Sequence, residues 1–258
     1  MTRDLSILIP TRNEEWVRKT IADIIEHIEA DTEILVGIDG SDDVEIAEEN
    51  NDRVRKHFTG KVLGQRAMTN ELARLSDAKY VMKTDGHCSF SQGFDAAMMR
   101  QMDEKTILAP QMGVLTPQSW AINGKKMTTR YCFDTNFVMQ YDQENGNEET
   151  MCLQGSCWMI SRENYWKWNV CDEMLGSWGG QAAELGIAAW LHDARCRTTR
   201  DAYYGHVFRH SDKDFPYERG ESPGKFATEE LKRRYGNDPR IKEMVNYFGF
   251  PADWKSMN

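Results

Sequence analysis

Apolar residues in the first 110 positions form short runs that alternate with stretches of helical spacing. Leu5-Ser6-Ile7-Leu8-Ile9-Pro10 is a compact β-prone run closed by a proline, the pattern of a buried parallel strand opening onto a loop. Trp16, Val17, Ile21, Ile24, Ile25 and Ile28 follow near helical spacing and predict an amphipathic helix over residues 14–29. Glu33 to Ile38 reads as a second strand, closed by the polar Asp39-Gly40-Ser41-Asp42-Asp43. Val44 to Asn50 is predicted helical and Lys61-Val62-Leu63 a short third strand; a helix opens at Gly64-Gln65-Arg66 with Ala67, Met68, Leu72, Ala73 and Leu75 on its buried side. Tyr80 to Lys83 is the next strand, Phe94 to Met102 a helix and Thr106 to Pro110 a further strand. This order predicts an α/β domain of right-handed βαβ units, whose polar loops gather along the one sheet edge where open α/β folds bind ligands.

Periodicity weakens between Gln111 and Thr150, and Asp142 to Thr150 reads as an acidic hairpin or surface loop. Cys152 to Ile160 is predicted to be a strand broken by Gly155, a position suited to close approach of a ligand or backbone. Ser177-Trp178-Gly179-Gly180-Gln181-Ala182-Ala183-Glu184 leads into a helix carrying Leu185, Ile187, Ala188, Trp190 and Leu191. Two glycines before a helix start expose backbone N–H groups that favour anions and sugar hydroxyls, although a tight turn with a core tryptophan fits as well. Cys196 to Arg200 is the expected last core strand, with Tyr203 to His210 following it. Ser211 to Gly224 reads as a mobile loop, Phe226 to Tyr235 as a charged helix, and the tail from Asp238 as a segment able to pack back on the body. Residues 1–210 are therefore expected to form one catalytic domain and 211–258 a loop and helical extension packed on it.

Composition narrows this little. Hydrophobic residues make up 40% and charged residues 28% of 258 positions, ordinary for a globular chain. The net charge of -9 argues against a uniformly basic, nucleic-acid-coating surface. Six cysteines (88, 132, 152, 157, 171 and 196) form no CxxC pair and are expected to be free thiols. The first strand begins at once and no apolar run reaches membrane-spanning length, so the expected location is cytoplasmic.

The chemistry starts at the end of the Tyr80 strand. Asp85 and His87 flank Gly86, and on an extended chain they point to one side. A carboxylate with an imidazole suits a divalent metal such as manganese; an ordinary turn is the alternative reading. His206 alone beside apolar residues reads as a hydrogen-bonded core histidine.

Four stretches occur in the order of a known family. Ile9-Pro10-Thr11-Arg12-Asn13-Glu14 with Val36 to Asp43, then Asp85-Gly86-His87-Cys88, Trp178-Gly179-Gly180-Gln181 and Gly205-His206-Val207-Phe208-Arg209 together resemble family 2 type glycosyltransferases. Within that group the chain is most similar to the catalytic domain of polypeptide N-acetylgalactosaminyltransferases, over residues 5–210. The resemblance implies a single GT-A domain, a Rossmann-like nucleotide-diphospho-sugar transferase fold with a mixed central sheet and helices on both faces. It implies Mn2+, or Mg2+ in its place, held by Asp85, His87 and His206 and bridging the diphosphate of a UDP-sugar. Thr11, Arg12, Glu14, Asp39, Arg66 and Arg209 would hold the nucleotide, with Asp39 accepting from the uracil N–H and Arg209 facing the diphosphate. Trp178 and Gln181 would face the sugar.

The departures carry information as well. The family's Glu after Trp-Gly-Gly is Gln181 here, which leaves the donor sugar open. The Glu-Asp pair whose carboxylate serves as base in inverting relatives reads Gln181-Ala182, which implies retention of configuration. The alternatives are an inverting enzyme using Glu184 as base, for which a helix-dipole role is an equal reading, and a catalytically silent nucleotide-sugar-binding module. Intact Asp39, Asp85, His87 and His206 count against the silent module. The hydroxyl acceptor stays open among protein Ser or Thr, a glycan or small molecule, and a hydroxymethylated DNA base of phage type. For DNA, Lys225, Lys232, Arg233, Arg234, Arg240 and Lys242 would form a basic edge, or else a solvated helical face.

Overall fold

The computed structural model describes residues 3–40, 45–46, 50–128, 130–142, 148–209 and 223–249. In chain order these form β1 (Leu5–Thr11), α1 (Val17–His27), β2 (Thr32–Ile38), β3 (Val54–Phe58), α2 (Gln65–Leu75), β4 (Tyr80–Thr84), β5 (Cys88–Phe90), α3 (Phe94–Met99), β6 (Thr106–Thr116) and β7 (Ala121–Thr128). They continue with β8 (Arg130–Phe133), β9 (Met139–Asp142), β10 (Glu149–Thr150), β11 (Cys157–Ser161), α4 (Arg162–Lys167), α5 (Gln181–Leu191), β12 (Arg195–His206), α6 (Pro223–Tyr235) and α7 (Pro239–Phe248).

Period-two alternation sorts the strand residues onto two cores. Leu5, Ile7 and Ile9 of β1, Ile34, Val36 and Ile38 of β2, and Tyr80 and Met82 of β4 pack with Val17, Ile21 and Ile24 of α1 and Phe94 of α3. Leu8, Leu35 and Val81 point the other way, onto Met68 and Leu72 of α2 and Tyr165 of α4. Both faces of the sheet are thus covered by helices, which is why β1 and β2 read as nearly continuous apolar runs. Helix α5 sends Ala183 and Ile187 to the first core and Leu185 and Ala188 to the second. Small residues allow that close seating.

Among the described residues ten strands form one sheet, in the order β10-β12-β6-β11-β4-β1-β2-β3, with β5 beside β12 and β7 beside β6. β1 runs parallel to β2 and β4, and β6 parallel to β12, whereas β11 is antiparallel between β4 and β6. The carboxyl ends of β1, β2, β4 and β12 therefore share one edge with the amino end of β11. This is the mixed-sheet α/β architecture expected of a GT-A domain.

Several expectations need correction. The third strand is Val54–Phe58 rather than 61–63: it is an edge strand of charged and half-exposed residues, so no apolar run announces it. The strand expected from Cys152 begins at Cys157, because residues 152–156 bend around Gly155. The weakly periodic region after Gln111 holds β7, β8 and β9, and the last strand is one long element interrupted by a register shift between Thr199 and Tyr203. Helix α4 carried no reading from the pattern. Most of the helix expected over residues 44–50, and the loop expected over 211–222, lie outside the described residues. The two last helices pack on the body: Leu231, Ile241, Met244 and Val245 join the first core, and Arg240 donates to the carbonyl oxygens of Trp190 and Leu191 at 3.0 and 2.8 Å. All six cysteines are buried free thiols. Among the described residues no helix is long and apolar enough to cross a membrane.

Candidate active site

Polar residues that follow apolar strands on the shared edge enclose a cleft of about 950 Å³. β1 delivers Thr11, Arg12 and Glu14 to its wall, β2 Asp39, β4 Asp85 and His87, and β12 His206 and Arg209. Backbone hydrogen bonds tie these loop starts together: Asp39 N to Thr11 O at 2.7 Å, Asp85 N to Ser156 O at 2.8 Å, and Val207 N to His87 O at 3.2 Å. Register does the rest for His206, which pairs with Cys88 on β5 and so comes beside His87.

Asp85, His87 and His206 present one carboxylate oxygen and two imidazole nitrogens within 4.8 Å of one another. His206 Nε2 lies 3.1 Å from His87 Nε2 and 3.3 Å from Asp85 Oδ2, and His87 Nε2 is 3.8 Å from that same oxygen. His87 Nδ1 is 2.9 Å from Glu14 Oε2. With its Nδ1–H given to Glu14, the ring turns the lone pair of Nε2 to the cluster, the carboxylate–histidine arrangement typical of metal ligands. The donor set suits a divalent ion that takes both oxygen and nitrogen.

Charge is balanced around this cluster. Lys83 Nζ donates to Asp85 Oδ1, and Arg209 to Glu14 Oε2. Burial pushes the Asp85 carboxyl up, but Lys83 and the two histidines outweigh it and hold it well below the usual carboxylate range. Glu14 is likewise held low, because His87 and Arg209 overcome the effect of its burial. Burial pushes His206 down to about 4 against the pull of Asp85, which keeps its imidazole neutral and able to ligate near neutral pH.

Asp39 lines the cleft and is 5% exposed. Its two oxygens accept from Leu63 N at 2.5 Å and Gly64 N at 3.0 Å, which fixes the carboxylate and leaves lone pairs for a ligand donor. The stretch expected as a strand at 61–63 thus serves as the loop that holds Asp39.

The turn before α5 forms the opposite wall. Gly179 has φ +94°, and a Cβ there would lie 2.3 Å from the Gly224 Cα of α6. Only glycine allows this contact, which seats the start of α6 against the turn and places Trp178 beside Gly224 on the wall. Gln181, the first residue of α5, lines the cleft with its Nε2 3.4 Å from Cys171 Sγ.

Two expected site residues are not brought to the cleft. Arg66 is 1% exposed and Glu184 4% exposed, and neither lines it. Arg66 Nε and Nη2 donate to Glu184 Oε2 at 3.0 and 2.9 Å, and Arg66 also donates to the carbonyl oxygens of Gly176 and Gly179. Glu184 Oε1 accepts from Asp172 N at 2.7 Å. Burial pushes the Glu184 carboxyl up to about 7 against Arg66. The pair staples the underside of the 176–180 turn.

Among the described residues five buried side-chain polar atoms lack a hydrogen-bond partner, and three belong to cleft residues: Thr11 Oγ1, Gln181 Oε1 and His206 Nδ1. Buried polar groups are rarely left unpaired, so these atoms call for a partner beyond the chain, whether a water, an ion or a ligand. Residues that the sequence did not single out also line the cleft: Phe137, Val138 and Met139 before and within β9, Gln154 and Ser156, and Thr228 of α6, beside Lys225, which was read only as part of a basic edge. The glycine break at Gly155 was a signal for the second group; residues 137–139 fall in the weakly periodic segment, and Thr228 lies on a helix whose facing toward the cleft the pattern does not give.

The model of the family described as glycosyl transferase family 2 matches residues 6–168. N-acetylgalactosaminyltransferase 6 of Drosophila melanogaster is 23% identical over 203 residues, 69% of this chain and 29% of that protein. The chain spans only 28–39% of the length of the curated relatives it matches. Among solved structures, GalNAc-T7 with UDP, GalNAc and Mn2+ superposes with a TM-score of 0.78 at 17% identity, over 96% of this chain and 50% of that one. TarS of S. aureus superposes with a TM-score of 0.59 at 14% identity, over 100% of this chain and 50% of that one. These two likenesses are of fold.

Proposed function

From a chain that belongs to glycosyl transferase family 2, we propose an enzyme that moves a sugar from a UDP-sugar to a hydroxyl acceptor with retention of configuration. The observation that carries it is the meeting of Asp85, His87 and His206 on the wall of the same cleft as Asp39 and Gln181. Asp39 takes the uracil N–H on a carboxylate already fixed by two backbone donors. Thr11 and Arg12 also line the cleft, and Arg209, which lines it and donates to Glu14, would meet the diphosphate. A manganese ion held by Asp85, His87 and His206 would supply Lewis-acid stabilisation of the leaving diphosphate. Gln181 Oε1, buried and without a protein partner, offers an acceptor to a sugar hydroxyl, with Trp178 beside it. That neighbouring GalNAc-T7 was solved with UDP, GalNAc and Mn2+ supports the same donor chemistry.

The placement of the carboxylates supports retention. Among the described residues Glu14, Asp39 and Asp85 are the acidic ones on the cleft wall, and each is already engaged, by His87 and Arg209, by two backbone N–H groups, and by Lys83 and His206. Glu184, the base of the inverting alternative, is closed off by Arg66. With no carboxylate among the described residues poised as a base, the leaving phosphate would assist the incoming hydroxyl.

For the acceptor, the geometry favours a protein or glycan hydroxyl over DNA. Of the proposed basic edge, Arg233 and Arg234 pair with Glu230, Arg234 also with Asp172, Arg240 with Asp193 and Lys225 with Glu229. Charges neutralised on their own surface release few counterions from a phosphate backbone. The six buried free thiols support a reducing, cytoplasmic setting as part of the same proposal. The test is a panel of UDP-sugars scored by UDP release with and without manganese, then repeated with peptides, glycans and hydroxymethylated DNA. Metal-dependent release from at least one donor is expected, and it should vanish in His206→Ala. Donor binding without any turnover would make the chain a silent module.

A further inference from the structure

Lys83 sits where the strand pattern asks for an apolar residue. Its neighbours across the sheet are Leu8 on β1 and Trp158 on β11, and it is fully buried. A lysine is tolerated there only when its ammonium is paired. The side chain runs up the strand on the face it shares with Asp85, two residues on, and donates to Asp85 Oδ1 and to the carbonyl oxygen of Gly155 at 2.7 Å.

This has two effects on the cluster. Geometrically, Oδ1 is occupied, so only Oδ2 faces His206 and His87, and Asp85 offers a single oxygen. Electrostatically, the Asp85 charge is cancelled by Lys83 and the Glu14 charge by Arg209, and the two imidazoles bring nitrogen donors without negative charge. The donor set therefore brings no net negative charge to a divalent ion, and it places an ammonium one carboxylate away from it.

Resting on the metal-site reading above, we propose that Lys83 is a positioning residue that makes divalent-ion binding conditional on the nucleotide. The protein ligands alone hold the ion weakly, and the doubly charged diphosphate supplies the missing negative charge. By linkage the ion raises nucleotide affinity by the same factor.

The test is Mn2+ titration followed by electron paramagnetic resonance, with and without UDP, on the wild type, Lys83→Met, Lys83→Gln and His206→Ala, each checked for folding by circular dichroism. Lys83→Gln keeps a donor for Asp85 and Gly155 without the charge, so it covers the case in which the methionine variant does not fold. In the wild type UDP should tighten Mn2+ binding at least about tenfold. In the Lys83 variants Mn2+ alone should bind at least about tenfold more tightly than in the wild type, since a unit positive charge a few ångströms away is removed, and the gain from UDP should shrink. A lysine that merely supports the fold would have the opposite signature, with looser binding in the variants. Unchanged or weaker binding of Mn2+ alone in the neutral variants, with His206→Ala abolishing binding, overturns the role of Lys83 and leaves the metal site standing. Failure of the wild type to bind Mn2+ with or without UDP overturns both.

Discussion

Replacing Arg66 by methionine separates a nucleotide contact from a structural staple. The guanidinium is buried at 1% exposure and supplies both donors to Glu184 Oε2 along with those to the Gly176 and Gly179 carbonyls. Its loss strands the Glu184 carboxylate in a dry site, and breaking a buried pair from one side costs about 3–5 kcal/mol. For a chain of this size that lowers Tm by on the order of 10 °C. The penalty carries a pH signature. Burial already raises the Glu184 carboxyl from 4.5 to about 7, and without Arg66 it rises further. A carboxyl whose folded value exceeds its unfolded value contributes stability that is present below the unfolded value and lost as pH climbs through the folded one. Arg66→Met should therefore be least stable at pH 8 and recover toward pH 5. The double variant Arg66→Met/Glu184→Leu, which removes both charges, should regain most of the loss at pH 8. Thermal melts by circular dichroism at the two pH values, with UDP titration calorimetry well below the transition, read the result. Wild-type stability at pH 8 combined with a tenfold or greater loss of UDP affinity would refute the staple and return Arg66 to the nucleotide site.

The remaining predictions concern the cleft wall. Gly179→Ala forces a Cβ toward Gly224 at a left-handed φ, so α6 should undock and the amide hydrogens of residues 224–235 exchange faster, with a rise in donor KM; unchanged exchange would show that the turn does not seat the helix. Asp39→Asn keeps one oxygen for two backbone donors and should cost about 1–3 kcal/mol of stability together with a tenfold or greater loss of UDP affinity by calorimetry. Unaltered affinity would remove Asp39 from the base pocket. Glu14→Gln removes the carboxylate charge that faces His87 Nδ1 and should weaken Mn2+ binding about 10–100-fold, read as a shift in the metal dependence of UDP release; unchanged metal dependence would remove Glu14 from the support of the cluster.

Much of this site can be read along the chain because its parts are local to strand ends. An apolar run followed at once by Asp39, or by Asp85-Gly86-His87, places those residues at the carboxyl edge of a parallel strand whatever the rest of the fold does. Tryptophan and two glycines before α5 likewise mark a close approach. Distance in sequence is where that reading stops. Arg66 and Glu184 stand 118 residues apart, each beside a motif, and nothing in the pattern says that they face each other beneath the cleft instead of into it. Lys83 looks like the polar end of a strand, yet it is buried because β1 and β11 close over it on either side. His206, a core histidine by its neighbours and a ligand candidate only through the family resemblance, meets His87 by its register against Cys88. Local pattern determined which residues end strands and which face a core. Which charges meet was left to the tertiary fold, because a buried ion pair depends on two distant segments leaving water together.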